Sequence, residues 1–91
     1  MRKRYIALEV IPPPSRRELV RIIRLLSVRR GIDEEAVRLI TLREGQAVVL
    51  CPNTLKDEVV DMLNCEVEGH RCRTLLTSGT LKALREKTQH R

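Results

Sequence analysis

An α+β fold, one antiparallel sheet with helices laid over it, is what this sequence predicts, and three observations predict it. Two stretches carry the i, i+3, i+4, i+7 apolar spacing of amphipathic helices, four others are rich in strand formers, and Gly or Pro turn signals separate them. At 91 residues the chain fits a single domain, residues 1–91, with one core.

The elements follow in order. "RYIALEVI", residues 4 to 11, reads as a strand, and the three prolines at 12 to 14 stop it, because proline cannot donate to a sheet ladder. Ser15 and Glu18 then form a capping box, and Leu19, Ile22, Ile23 and Leu26 give a helix that should run to about Arg29, with Gly31 ending it. Residues 36 to 52 split at Glu44-Gly45 into the two strands of a hairpin, closed by Pro52. Thr54 offers a second helix cap; Leu55, Val59, Met62 and Leu63 share one face of a helix reaching about Asn64. "HRCRTLLT", residues 70 to 77, is the fourth strand, and a third helix, too short to stand alone, runs from Thr80 to about Gln89. The order β-α-β-β-α-β is the split βαβ, ferredoxin-like (RRM-like) arrangement with helices on one sheet face, plus a C-terminal helix. Such a fold hosts many functions and names none.

Composition narrows the partners. Lysine and arginine number 18 against 12 acids, for a formal charge of +6, so an acidic partner is expected, nucleic acid above all. Fourteen of the 18 are arginine, whose planar fork matches a phosphate with two hydrogen bonds, although such a bias also arises in thermophile proteins. Tyr5 is the only aromatic residue, which disfavours a reader that stacks single-stranded bases. The three cysteines lack Cys-x-x-Cys spacing, so neither a disulfide framework nor a zinc site is expected, and a reducing compartment, the cytoplasm, is the simpler reading. The opening residues have the pattern of neither a signal peptide nor a membrane span.

No catalytic constellation emerges. His70 and His90 sit in no metal or nucleophile motif; Asp33, Glu34 and Glu35 and the helical Asp57, Glu58 and Asp61 read as ordinary solvated acids. No catalytic residue, metal ligand or bound cofactor is therefore expected. The basic features each carry two readings. Arg17, Arg21 and Arg24 share one face of the first helix, either a solvated surface or a phosphate-binding stripe, with Arg2, Lys3, Arg4, Arg29 and Arg30 bracketing it. Arg71 and Arg73 lead into Ser78-Gly79-Thr80, a turn that caps the third helix or, in addition, offers free N–H groups to a phosphate beside Lys82. On the first strand Tyr5 and Ala7 alternate with Ile6, Leu8 and Val10, leaving an apolar patch on the second sheet face for the third helix or a partner.

"RYIALEVI" and "SGTLKALREK", at the two ends of this layout, resemble ribonuclease P protein component 2, the Pop-five family of archaea and eukaryotes. The resemblance implies an accessory protein of an RNA-based endonuclease that removes the 5′ leader from precursor tRNA. By that resemblance the RNA carries the chemistry, with magnesium held only through it, and no activity is expected of the protein alone. Ribonuclease P RNA and ribonuclease P protein component 3 are the implied partners, the latter in a heterotetramer; precursor tRNA is met indirectly and a membrane not at all. Ser78, Gly79, Thr80, Lys82 and Arg85 are the residues carried over by the motif. The chain is shorter than many relatives between the first helix and the hairpin.

Two other classes share the topology. A small-molecule-sensing regulatory domain would bind an amino acid at subunit edges and need no excess positive charge. An acyl-phosphate hydrolase would want an anion-cradling loop after the first strand, where this chain has Pro12-Pro13-Pro14-Ser15; Asn53 is its only attractive feature.

Overall fold

The computed structural model describes residues 2–89. The elements are β1 (Lys3–Ile11), α1 (Arg16–Arg29), β2 (Arg38–Arg43), β3 (Gln46–Pro52), α2 (Lys56–Leu63), β4 (Cys65–Val67), β5 (His70–Ser78) and α3 (Leu81–Gln89). They build one five-stranded sheet in the order β2-β3-β1-β5-β4, with every neighbouring pair antiparallel. Without the short β4 this is the ferredoxin-like order. α1 and α2 share one face of it.

Local chemistry sets the helix ends. Ser15 Oγ accepts from the Glu18 N–H and the Glu18 carboxylate accepts from the Ser15 N–H, the reciprocal capping box. At the other end Gly31 adopts φ +70°, its N–H donates to the Val28 carbonyl, and the Ile32 N–H reaches the Ser27 carbonyl. That pair of bonds is the Schellman stop, and it folds Ile32 back into the core. α2 starts differently from expectation. Thr54 does not cap it; Asn53–Leu55 form a single 3₁₀ turn, and the helix opens at Lys56 with no side-chain cap.

The sequence expectation also lacked β4. Glu68 and Gly69 take φ values of +53° and +80°, the left-handed pair that closes a two-residue hairpin between β4 and β5, as Glu44 and Gly45 do between β2 and β3. Gly45 has a further constraint. A Cβ there would meet the Val10 carbonyl oxygen at 2.8 Å, because the turn folds against the end of β1.

The core lies between the sheet and the helices α1 and α2. Ile6, Leu8 and Val10 alternate inward from β1, Ala47, Val49 and Cys51 from β3, and Leu19, Ile22, Ile23 and Leu26 meet them from α1. Each of the Leu, Ile and Val side chains contributes about 1.5–3 kcal/mol by leaving water. Ser27 is buried too, and its hydroxyl donates to the Ile23 carbonyl at 2.8 Å, so no polar group is stranded there. Cys51 and Cys72 are buried and Cys65 is half-buried. α3 lies on the other sheet face against β1 and β5, where Leu84 is buried beside Ala7, so this helix takes much of the apolar patch expected there.

Candidate nucleic-acid interface

α1 turns Arg17, Arg21 and Arg24 outward because Leu19, Ile22, Ile23 and Leu26 take its inner face. Arg21 meets Glu68 of the β4–β5 turn at 2.7 Å, an exposed pair of small energetic weight. Arg17 and Arg24 have no ion pair among the described residues. Arg24 instead lines a groove between α1 and β2 together with Glu34, Glu35 and Arg38.

Arg71 and Arg73 stand on the sheet face away from the core, each directly opposite an acid on the neighbouring strand. Arg71 faces Glu66 of β4 and contacts it at 3.0 Å; Arg73 faces Glu9 of β1 at 3.3 Å. Their charge is therefore balanced locally, by a β4 residue in one case. The stripe on α1 and this pair lie on opposite faces of the sheet. They cannot meet one phosphate.

The Ser78-Gly79-Thr80 turn uses both hydroxyls internally. Ser78 is buried and its Oγ accepts from the Thr80 N–H at 3.4 Å; Thr80 Oγ1 accepts from the Ala83 N–H at 3.1 Å and so caps α3. Lys82 sits in the first turn of α3, and Arg85 one turn later lines a groove with Arg43, Glu44, Leu75 and Leu84. Ser78 is also the register partner of Tyr5. The opening and closing stretches of the sequence thus lie side by side.

At this junction the structure places two residues that the sequence reading had not joined. Arg4 Nε donates to Asn53 Oδ1 at 2.8 Å, and its Nη1 lies 3.7 Å from where a Cβ on Gly79 would stand. Asn53 is held in turn by its own N–H, which donates to the Arg2 carbonyl at 2.9 Å. Only the antiparallel pairing of Lys3 with Pro52 brings these residues together. The same pairing separates Asn53 from the Pro12–Ser15 loop, which follows the opposite end of β1, so the two do not join in one anion cradle.

His70 and Glu18 have structural partners. His70 Nδ1 lies 2.6 Å from the Pro12 carbonyl, and its Nε2 is 3.8 Å from Glu18 Oε2, which ties the start of β5 to the loop before α1. His90 lies outside the described residues. The bond from the Ser15 backbone holds the Glu18 carboxyl below its usual range, with help from the Ser15 hydroxyl and the nearby His70 and Arg21. Burial pushes the Cys72 thiol up to about 11 and raises Cys51 and Cys65 as well, which makes all three poor nucleophiles at neutral pH. Among the described residues no group of His, Cys, Asp and Glu side chains is arranged to hold a metal ion, and no helix is long and apolar enough to cross a membrane.

No family model and no curated protein matches this chain. Among solved structures, a chain in the cryo-EM structure of yeast ribonuclease MRP is similar, with a TM-score of 0.70 and 15% sequence identity over 97% of this chain and 92% of that one. At that identity the likeness is one of fold, end to end.

Proposed function

We propose that this protein is a non-catalytic subunit of an RNA-based ribonuclease of the ribonuclease P and MRP kind. The observation that carries the reading is the distribution of positive charge. Outward arginines on α1 and the lysine and arginines around the Ser78–Thr80 turn surround a fold shared with a chain of the yeast ribonuclease MRP structure, while the histidine in the described region is committed to structural contacts.

In its finer form the proposal follows the sequence motif. The protein binds ribonuclease P RNA through phosphates, with Arg17, Arg24, Lys82 and Arg85 foremost, and supports the RNA in removing the 5′ leader of precursor tRNA together with ribonuclease P protein component 3. Arg21, Arg71 and Arg73 join only where a phosphate displaces Glu68, Glu66 or Glu9. Ser78, Gly79 and Thr80 act as the rigid turn that presents Lys82. Phosphates brought together in a folded RNA repel each other; fixed cations between them replace mobile counterions and let the RNA fold at lower magnesium.

The test is cleavage of precursor tRNA by ribonuclease P RNA and component 3 at limiting magnesium, with this protein or with a Lys82→Ala/Arg85→Ala variant. Stimulation by the parent and its loss in the folded variant support the proposal. Absence of both stimulation and salt-sensitive RNA binding overturns it, and the ligand-sensing domain then becomes the better account.

A further inference from the structure

One end of the sheet gathers the start of β1, the end of β3 and the end of β5, through the pairs Lys3 with Pro52, Arg4 with Cys51 and Tyr5 with Ser78. Four cationic residues are placed at this end: Arg2, Lys3 and Arg4 at the start of β1, where Lys3 and Arg4 alternate to opposite faces of the sheet, and Lys82 in the first turn of α3. None of the four has an ion pair among the described residues. Asp57, the acid nearest in sequence to the Asn53 turn, is paired with Lys56 at 3.0 Å.

Arg4 differs from the exposed arginines elsewhere in how it is held. Arg21, Arg30, Arg71 and Arg73 each spend their charge on a carboxylate. Arg4 is oriented by a neutral amide oxygen, which engages Nε alone and compensates no charge. Its two terminal nitrogens meet no acceptor among the described residues, and one of them lies beside Gly79. A guanidinium aimed in this way, with two parallel N–H groups unspent, is the donor set that a phosphate takes in a fork.

We propose that Arg4, held in place by Asn53, grips one backbone phosphate of a bound RNA in a two-pronged contact, with Arg2, Lys3 and Lys82 neutralising the phosphates on either side. The proposal rests on the RNA-binding reading above and deepens it by placing a contact outside the sequence motif. Asn53 is a positioning residue. A phosphodiester chain fits this end better than a peptide does. Among the described residues the exposed large apolar side chains, Ile11, Val28 and Leu75, belong neither to the β1 start nor to the Asn53 turn nor to the α3 start, and a peptide interface needs an apolar anchor.

The experiment measures binding of a fluorescein-labelled RNA stem-loop by the full chain over a series of salt concentrations, for the parent, Arg4→Gln, Arg4→Lys and Asn53→Ala. Thermal unfolding confirms that each variant is folded. Arg4→Gln is expected to make the log K against log salt slope shallower by about one and to weaken binding on the order of tenfold. Arg4→Lys should keep the slope yet lose affinity, because the charge remains and the fork does not. Asn53→Ala should keep the slope and weaken binding roughly two- to tenfold, the cost of ordering a side chain no longer pre-set. If the parent binds with steep salt dependence and Arg4→Gln binds identically, this contact is refuted while the RNA reading stands. If Asn53→Ala binds like the parent, the positioning role is refuted. If the parent shows no salt-dependent binding, the RNA reading falls and this proposal with it. Labelled polyglutamate bound as tightly as RNA, with the same dependence on Arg4, overturns the choice of RNA over an acidic peptide.

Discussion

Leu84→Ala isolates the contribution of α3 to the molecule. Leu84 is 1% exposed and is the buried apolar anchor of a nine-residue helix that touches only β5 and β1 appreciably. Truncation removes about three buried carbon groups, or about 2.5 kcal/mol at 0.8 kcal/mol each. The adjoining groove, lined by Val48 and Leu75, is open to solvent, so water fills the space and the usual cavity penalty is small. A helix of this length does not persist in isolation. The loss should therefore appear as local release of α3, while the core between the sheet and α1 and α2 stays intact. Hydrogen exchange reads this directly. Amides in the Leu81–Gln89 helix should lose protection by about 50- to 100-fold, and β1 amides should change little. Equal loss of protection in α3 and β1 would refute the reasoning, since it would make α3 part of the global cooperative unit.

Three further predictions concern the scaffold. Glu18 has a folded-state pKa lowered below its ordinary value of 4.5, so its stabilisation is present above that value and is lost as pH falls through the lower folded one; urea midpoints should drop in acid, and Ser15→Ala should lessen that drop only in part, because the backbone N–H that is its main cause remains, while the lost cap costs about 1 kcal/mol at neutral pH. Gly45→Ala places a methyl 2.8 Å from the Val10 carbonyl at φ +81°, whereas Gly69→Ala at φ +80° meets open space. Denaturation should show about 1 kcal/mol lost at Gly69 and about 2–4 kcal/mol at Gly45, and equal losses would mean that the turn simply moves aside. Cys72, buried and raised to about 11, should resist a thiol reagent at neutral pH in the folded protein and react on unfolding, with half-buried Cys65 reacting before it; rapid labelling of native Cys72 would contradict the packing of β4 and β5.

What the sequence disclosed was whatever its local chemistry determines. Ser15 with Glu18, Gly31, and Glu44-Gly45 each declare an element boundary within a few residues, and the structure puts those boundaries there. β4 escaped because Cys65–Val67 is too short to show alternation, although Glu68-Gly69 repeats the turn dipeptide that had revealed the first hairpin. Thr54 misled because the 3₁₀ turn at Asn53–Leu55 carries the chain past it before the helix begins. The interface divides along the same line. The stripe on α1 follows from 3.6-residue periodicity, and the Thr80 cap from its position before α3. The acids opposite Arg71 and Arg73, and the 49-residue link from Arg4 to Asn53, depend on strand register. No spacing rule in one sequence carries that.

The central claim is that fixed positive charge on this protein replaces magnesium in folding a catalytic RNA. Its most direct test is the magnesium midpoint of precursor tRNA cleavage by ribonuclease P RNA with component 3, measured with and without this protein. The account predicts a lower midpoint in its presence and an unchanged cleavage site. A midpoint that does not move, with the protein present and folded, would contradict it.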